Sequence, residues 1–262
     1  MGFFDWVSVK PDWTSNDDVA LTKLQAMENC IQAILDRNVG LDGWVDPSIT
    51  GSYVSATSFS LAGDFTDYIG KGTKIKFSQT TGGAKFLYVI SNGSYAGGIT
   101  TYDIAENTDY VLESEDLTGF HYSNESSPID FPHWFDSSSI TFLCSTSGTI
   151  AFTNRTQRFM ITGNMITMRA YFDYSSASSP VGRLQIDKSS LVATPANLTA
   201  HYIPMGYWTF SDSGATNDSS GQAHVHSSAE VELKIDGINN SYLDPADFGS
   251  GDSFFCYLQY EI

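Results

Sequence analysis

Thirteen consecutive residues near the end of the chain alternate between apolar and polar side chains, and this run limits the possible folds more than any other feature. It extends from Ala223 to Ile235. Successive side chains of a β-strand point to opposite faces of the sheet, so a period of two indicates a strand with one buried face. We therefore predict one long strand over 223–235. Its apolar face comprises Ala223, Val225, Ala229, Val231, Leu233 and Ile235, and its polar face comprises His224, His226, Ser228, Glu230, Glu232 and Lys234.

The rest of the chain carries the same signal in shorter runs. Runs such as 53–61 and 254–260 are separated by turn dipeptides such as Gly97-Gly98. Charged residues make up 16% of the chain and aromatic residues 14%, whereas about 25% charged residues is usual. These features predict a mainly β protein with two β-sandwich or barrel domains at 44–136 and 140–262. Strand number and length favour a jelly-roll-like fold for the C-terminal domain.

The charge balance excludes some partners. The chain has 13 Lys and Arg against 30 Asp and Glu, a formal net charge of −17. A phosphate backbone needs a basic face, so we expect no nucleic-acid binding. No apolar run approaches the roughly 18 residues of a membrane span, so we expect no membrane insertion. The first residues lack the basic and apolar regions of a signal peptide, so we expect synthesis in a cytoplasm without export.

The first 15 residues are unusually aromatic for so short a segment. Exposed aromatic side chains are favoured anchors at protein interfaces. We predict that this segment anchors the protein to a partner, although it could also fold back on the protein itself. The anchoring candidates are Phe3, Phe4, Trp6 and Trp13.

Residues 16–40 have helical periodicity and predict a short N-terminal helix before the β-domains. Leu24, Met27, Ile31 and Ile34 recur at steps of three, four and three, the spacing of a coiled-coil seam. The alternative is a helix packed on a β-domain of the same chain. Two heptads are marginal alone, so the seam implies association only if the β-domains also associate.

The segment from Trp44 to Phe135 resembles a module of tailed-bacteriophage tail and fibre proteins. In that family a strand ends in a Gly-Asp-x-Thr turn and is followed by a Gly-Thr-Lys strand and a Tyr-Val strand. The matching stretches are Tyr53–Leu61, Gly63–Thr66, Lys71–Lys76, Gln79–Thr81, Phe86–Ile90, Ser94–Tyr95, Thr100–Thr101, Asp109–Leu112 and Pro132–Phe135. Independently of the resemblance, Gly63 and Gly72 stand where turns need a positive φ, and Thr57, Phe59 and Ile75 where strands need inward side chains.

The resemblance implies a homotrimeric virion appendage. The helix would then form a trimeric neck, with the seam residues on the threefold axis. The N-terminal segment would attach to other tail or neck proteins, and the C-terminal domain would be displayed outward. Residues 140–262 carry no such resemblance, so their assignment as the distal domain depends on pattern and position alone.

Receptor-binding candidates cluster around the Gly/Ser/Asp-rich stretch 206–221. Aromatic rings beside carboxylate and amide groups suit a glycan, so we predict that this stretch binds a host-surface glycan. The alternative is that its aromatic residues are core and the rest is a solvated loop. The candidates are Tyr207, Trp208, Asp212, Asn217 and Asp218.

Signals for catalysis and for metal binding are weak. No HExxH, GxSxG or phosphate-binding Gly-rich motif is present, so we expect no enzymatic activity and no cofactor. His224 and His226 would lie on one face of the predicted strand. In one chain they form an ordinary polar face, but around a threefold axis they would supply six imidazoles to a transition metal. The three cysteines are far apart and predict neither a disulfide framework nor a zinc site.

Together these observations predict a structural phage protein located in the virion, a trimeric tail fibre or spike that binds a host glycan. One alternative is a head or neck fibre, or a tail adaptor that carries another tip protein. An alternative of another class is a glycan-cleaving enzyme with two facing carboxylates.

Overall fold

The computed structural model describes residues 42–137, 140–193, 195, 203–211, 219–225, 230–235 and 244–262. The predicted anchoring segment, the helix and its seam lie outside the described residues.

The described part of the chain is mainly β. Its helical content consists of two single 3-10 turns, Lys188–Ser190 and Pro245–Asp247, and no helix within it is long and apolar enough to cross a membrane. The strands are β1 (Ser52–Ser55), β2 (Ser58–Ala62), β3 (Lys74–Gln79), β4 (Gly83–Tyr88), β5 (Ser94–Ala96), β6 (Ile99–Asp103), β7 (Thr118–Ser123), β8 (Phe135–Asp136), β9 (Phe142–Cys144), β10 (Ser147–Thr162), β11 (Met165–Val181), β12 (Leu184–Asp187), β13 (Ile203–Ser211), β14 (Ser219–Val225), β15 (Glu230–Ile235) and β16 (Ser253–Glu261).

These strands form three antiparallel sheets. A four-stranded sheet has the order β1-β2-β6-β5 and a three-stranded sheet the order β4-β3-β7. A nine-stranded sheet has the order β8-β10-β11-β16-β13-β14-β15-β12-β9. Its two edge strands, β8 and β9, do not pair with each other in the described structure, so the sheet is not a closed barrel.

The two smaller sheets enclose one hydrophobic core. Phe59, Ile75 and Phe120 are fully buried in it, as the alternation in their strands predicts for Phe59 and Ile75. Gly63 and Gly72 have φ values of 102° and 81°, so the predicted positive φ is confirmed at both turns. Thr57 is exposed in the turn after β1, so the prediction that it points inward is wrong.

The nine-stranded sheet bends so that its edge strand β9 faces its centre across an aromatic core. The Phe142 ring of β9 lies 4.6 Å from the Phe152 ring of β10 and 5.0 Å from the Phe172 ring of β11. It also lies 5.7 Å from the Phe254 ring of β16. Since these rings come from separate parts of the chain, the core holds the two ends of the sheet together.

A second aromatic cluster joins the part before residue 137 to the part after residue 140. Phe135 is fully buried and its ring lies 5.3 Å from that of Tyr88 and 5.8 Å from that of Phe159. Phe131 packs on Tyr88 at 4.9 Å. Strand β8 also pairs with β10. The division into domains at 44–136 and 140–262 stays a prediction, but the two segments share this core.

Two of the predicted strands are hairpins. The run 223–235 contains the end of β14 and all of β15, which pair with Ala223 opposite Leu233 and Val225 opposite Val231. Cross-strand partners point to the same face of a sheet. Because odd-numbered residues of β14 pair with odd-numbered residues of β15 and even with even, the two strands keep the alternation of one long strand. The run 53–61 is likewise divided between β1 and β2, with Tyr53 opposite Phe59.

Candidate functional site

Strand β13 alternates between core and surface. Trp208 is fully buried and its ring stacks on that of Phe254 at 6.0 Å, whereas Tyr207 is 49% exposed. Trp208 is therefore a core residue, and the prediction that it contacts a receptor is wrong because its side chain is not accessible. Both residues lie in strand β13. The described part of the Gly/Ser/Asp-rich stretch 206–221 is strand at both ends, 206–211 and 219–221.

Tyr207 has an aromatic partner on the same surface. It lies directly opposite Tyr257 of β16, and the two ring centroids are 5.2 Å apart with planes inclined by 18°. The Phe255 ring lies 6.1 Å from the Tyr207 ring. One face of Tyr207 is thus covered by Tyr257, while about half of the residue remains open to solvent.

The aromatic surface continues across the sheet to a cation. Arg169 of β11 lies opposite Tyr257. Its guanidinium carbon is 6.0 Å from the Tyr257 ring centroid and 4.7 Å from the Trp134 ring centroid, distances at which cation and ring attract each other. Tyr171, two residues along β11, lies opposite Phe255. We call this surface the outer aromatic patch, and it comprises Trp134, Arg169, Tyr171, Tyr207, Phe255 and Tyr257.

A charged pair borders the patch. Arg158 of β10 lies opposite Arg169, and its Nε donates to Asp136 Oδ1 at 2.5 Å. The hydrogen bond and the charge of Asp136 raise the pKa of the Arg158 guanidinium. On the other side of the patch, the exposed Gln222 of β14 lies opposite Tyr207. The patch therefore has polar groups on both sides.

This arrangement suits a ligand that is both polar and apolar. Tyrosine and tryptophan present an apolar ring with a polar group at its end, and exposed apolar patches bordered by polar residues mark interaction sites. A sugar ring has C–H groups that pack on aromatic carbon and hydroxyl groups that bond to phenol, amide and guanidinium groups. The outer aromatic patch provides the rings, the phenols and the guanidinium group, and Gln222 at its border provides an amide.

Of the five predicted receptor contacts, the structure brings only Tyr207 into this patch. Asp212, Asn217 and Asp218 lie outside the described residues. In the sequence they follow β13, whose last residue is Ser211, four residues after Tyr207.

The predicted metal ligands are described only in part. His224 is half-buried on β14, with a ring nitrogen 3.1 Å from Gln222 Oε1, and His226 lies outside the described residues. Within the described ranges no three His, Cys, Asp or Glu side chains form a group that could hold a metal ion. The metal site at a threefold axis stays a prediction.

A cavity of about 210 Å³ lies beside the four-stranded sheet. Ligand pockets usually have volumes of about 300–1,000 Å³, so this cavity is small for an oligosaccharide. It is lined by Ala56, Ile104, Glu106, Asn107, Thr108, Tyr110, Val111 and Leu112.

Four members of the patch other than Tyr207 could have been suspected from the sequence but not assembled from it. In 254–260 the even-numbered residues form the buried face. Phe255, Tyr257 and Gln259 lie between them, so two aromatic residues are on the opposite face. Arg169 and Tyr171 alternate in the same way with buried neighbours. The missing information is the pairing of β16 between β11 and β13, which joins distant parts of the chain.

Comparison of the chain with protein-family models, curated proteins and solved structures found no match. The resemblance of residues 44–135 to phage tail modules therefore stays a prediction from the sequence.

Proposed function

We propose that the protein is a non-enzymatic component of a phage virion, a homotrimeric tail fibre or spike that binds a host-surface glycan through the outer aromatic patch. The observation that carries the binding function is the half-exposed Tyr207, stacked on Tyr257 at 5.2 Å with Arg169 on the next strand. The resemblance of residues 44–135 to tail and fibre modules supports the location in a virion.

The proposal assigns a role to the nine-stranded sheet and to the N-terminal residues. The nine-stranded sheet, which bends over the core around Phe142, serves as the body of a β-sandwich with a jelly-roll-like arrangement. Residues 1–15 anchor the chain to other virion proteins, and the helix over 16–40 sets the threefold register. The displayed surface is then the outer face of the nine-stranded sheet.

The aromatic composition of the patch also explains how an acidic protein recognises a glycan. Recognition by ring stacking and hydroxyl hydrogen bonds does not need a net positive charge. The net charge of −17 keeps such a protein soluble and away from nucleic acid. Binding and solubility therefore do not conflict.

Binding to host cells tests the proposed function. Purified full-length protein should sediment with cells that carry the surface glycan, and the Tyr207→Ala variant should lose most of this binding. Tyr95→Ala is the matched control, because Tyr95 on β5 has the same exposure of 49% but lies in another sheet. Equal binding of the two variants would contradict the assignment of the patch.

The same samples separate the alternatives. Release of new reducing ends from the host glycan would show a glycan-cleaving enzyme, whereas binding without release supports the proposal. Light scattering should give a mass of three chains for the full protein, and a monomer would contradict the trimeric appendage. Binding to purified tail tip protein with no binding to cells would favour the adaptor.

A further inference from the structure

Arg169 has aromatic neighbours but no carboxylate partner among the residues that the structure describes. The ion pairs found there join Lys76 to Asp42, Lys85 to Glu113 and Arg158 to Asp136. Arg169 is exposed and packs on Trp134 and Tyr257. In a chain with 30 acidic residues and 13 basic ones, an arginine without such a partner at the centre of an aromatic patch calls for an explanation.

The neighbouring strand makes this placement less favourable. Arg158 lies directly opposite Arg169, and like charges opposite each other in a sheet are destabilising. Asp136 compensates Arg158 through the 2.5 Å hydrogen bond. The charge of Arg169 is left to its two aromatic neighbours, which are weaker partners than a carboxylate for a guanidinium group.

The ligand group that complements Arg169 is therefore an anion, and the protein's own charge limits its size. A net charge of −17 repels an extended polyanion, but a single carboxylate in contact with Arg169 interacts at a distance much shorter than the Debye length of about 8 Å. The planar guanidinium fork matches a carboxylate through two parallel hydrogen bonds.

We infer that Arg169 binds the carboxylate of an acidic sugar, of the hexuronic acid type, within an otherwise neutral oligosaccharide held on the outer aromatic patch. This inference rests on the proposed glycan-binding function and specifies its ligand. The sugar ring lies against Tyr257 and Tyr207, and its carboxylate lies beside Arg169. Arg169 is thereby the specificity-determining residue of the patch.

Titration calorimetry with three oligosaccharides of equal length tests this assignment. One ends in a hexuronic acid, the second in the methyl ester of that acid, and the third in the corresponding neutral hexose. The full-length protein should bind the acid at least about tenfold more tightly than the ester or the hexose, since a charge-assisted pair is lost in both. Arg169→Gln should bind all three with the affinity of the ester.

Two variants serve as controls. Lys71→Gln removes the same charge from the exposed Lys71 before β3 and should keep the preference for the acid. Tyr207→Ala should weaken binding of all three oligosaccharides. Both positions are exposed, so circular dichroism and thermal unfolding of the variants should match those of the unchanged protein.

The possible failures are distinguishable. If the acid and the ester bind equally and Tyr207→Ala weakens both, glycan binding stands and the role of Arg169 is wrong. If Lys71→Gln removes the preference as fully as Arg169→Gln, the effect is one of overall charge and the inference is also wrong. If none of the three oligosaccharides binds, and cells are not bound either, the proposed function itself fails.

Discussion

Gly72 lies directly against the backbone carbonyl of Gly163, where the loop before β3 meets the β10–β11 turn. A Cβ added to Gly72 would be 1.7 Å from the Gly163 oxygen, and the φ of Gly72 is 81°. Both the close approach and the positive φ require glycine. The contact joins the smaller sheets to the nine-stranded sheet beside the shared aromatic cluster.

We expect Gly72→Ala to lower the free energy of unfolding by about 3 kcal/mol or more, because about 1–2 kcal/mol of backbone strain adds to the cost of displacing packed backbone. Urea unfolding measures the loss. Gly83→Ala is the control, since Gly83 has a φ of 69° but nothing within 4 Å of its added Cβ. The free energy of unfolding of Gly83→Ala should decrease only by the cost of the backbone strain. Equal decreases in the two variants would mean that the contact between Gly72 and Gly163 is unimportant.

Phe135 tests whether the two parts of the chain unfold together. Its ring packs on Tyr88 from one part and Phe159 from the other. We expect Phe135→Ala to lower the free energy of unfolding by about 3–5 kcal/mol. In calorimetry, the described β-structure should unfold in one transition, and its midpoint temperature should be lower in the variant. Ile129→Ala, at a residue that is 57% exposed, should leave that transition nearly unchanged. Two separate transitions, with only one affected, would show independent domains.

Tyr102 should tolerate the loss of its hydroxyl group at neutral pH. The Tyr102 hydroxyl is buried and has no hydrogen-bond partner among the described residues. Removing an unpartnered buried hydroxyl relieves a desolvation cost of about 1–3 kcal/mol. We therefore expect Tyr102→Phe to be neutral or stabilising. Thermal unfolding at pH 7 measures the change, and a clear loss of stability in the variant would contradict this expectation.

The burial of Tyr88 and Tyr102 predicts a loss of stability in alkali. Burial raises the pKa of Tyr88 to about 12 and that of Tyr102 to about 12, from the ordinary value of 10.0. As the pH rises, the unfolded chain therefore releases these two protons before the folded chain does. The two phenols leave the free energy of unfolding unchanged below about pH 10 and lower it as the pH rises from about 10 towards 12. Urea unfolding at pH 9 and pH 11 should show a smaller decrease for Tyr88→Phe than for the unchanged chain. An equal decrease would show that Tyr88 does not contribute.

The sequence predicts the strands and their faces better than their pairing. Alternation in 254–260 correctly separates buried Phe254 from outward-facing Tyr257, because the period of two is a local property. The same alternation gave one strand over 223–235 where the chain makes two, since the hairpin between Val225 and Val231 keeps the phase. The turn at Gly63 was predictable because its positive φ is favoured by glycine.

The candidate site was only partly predictable for a related reason. Tyr207 could be singled out from local composition, but Trp208 beside it was assigned to the surface although it is core. Arg169, Tyr257 and Trp134 meet Tyr207 only because β16 lies between β11 and β13. Such long-range pairing is set by how the whole core packs, and no short pattern encodes it.

Direct titration of the host-surface oligosaccharide into the full-length protein is the most direct test of the outer aromatic patch. We predict saturable binding that is weakened about tenfold or more, equal to about 1.4 kcal/mol, in Tyr207→Ala and left unchanged in Tyr95→Ala. Both tyrosines are 49% exposed, so the comparison separates position in the patch from loss of a surface ring. Binding that is equally strong in all three proteins would contradict the account.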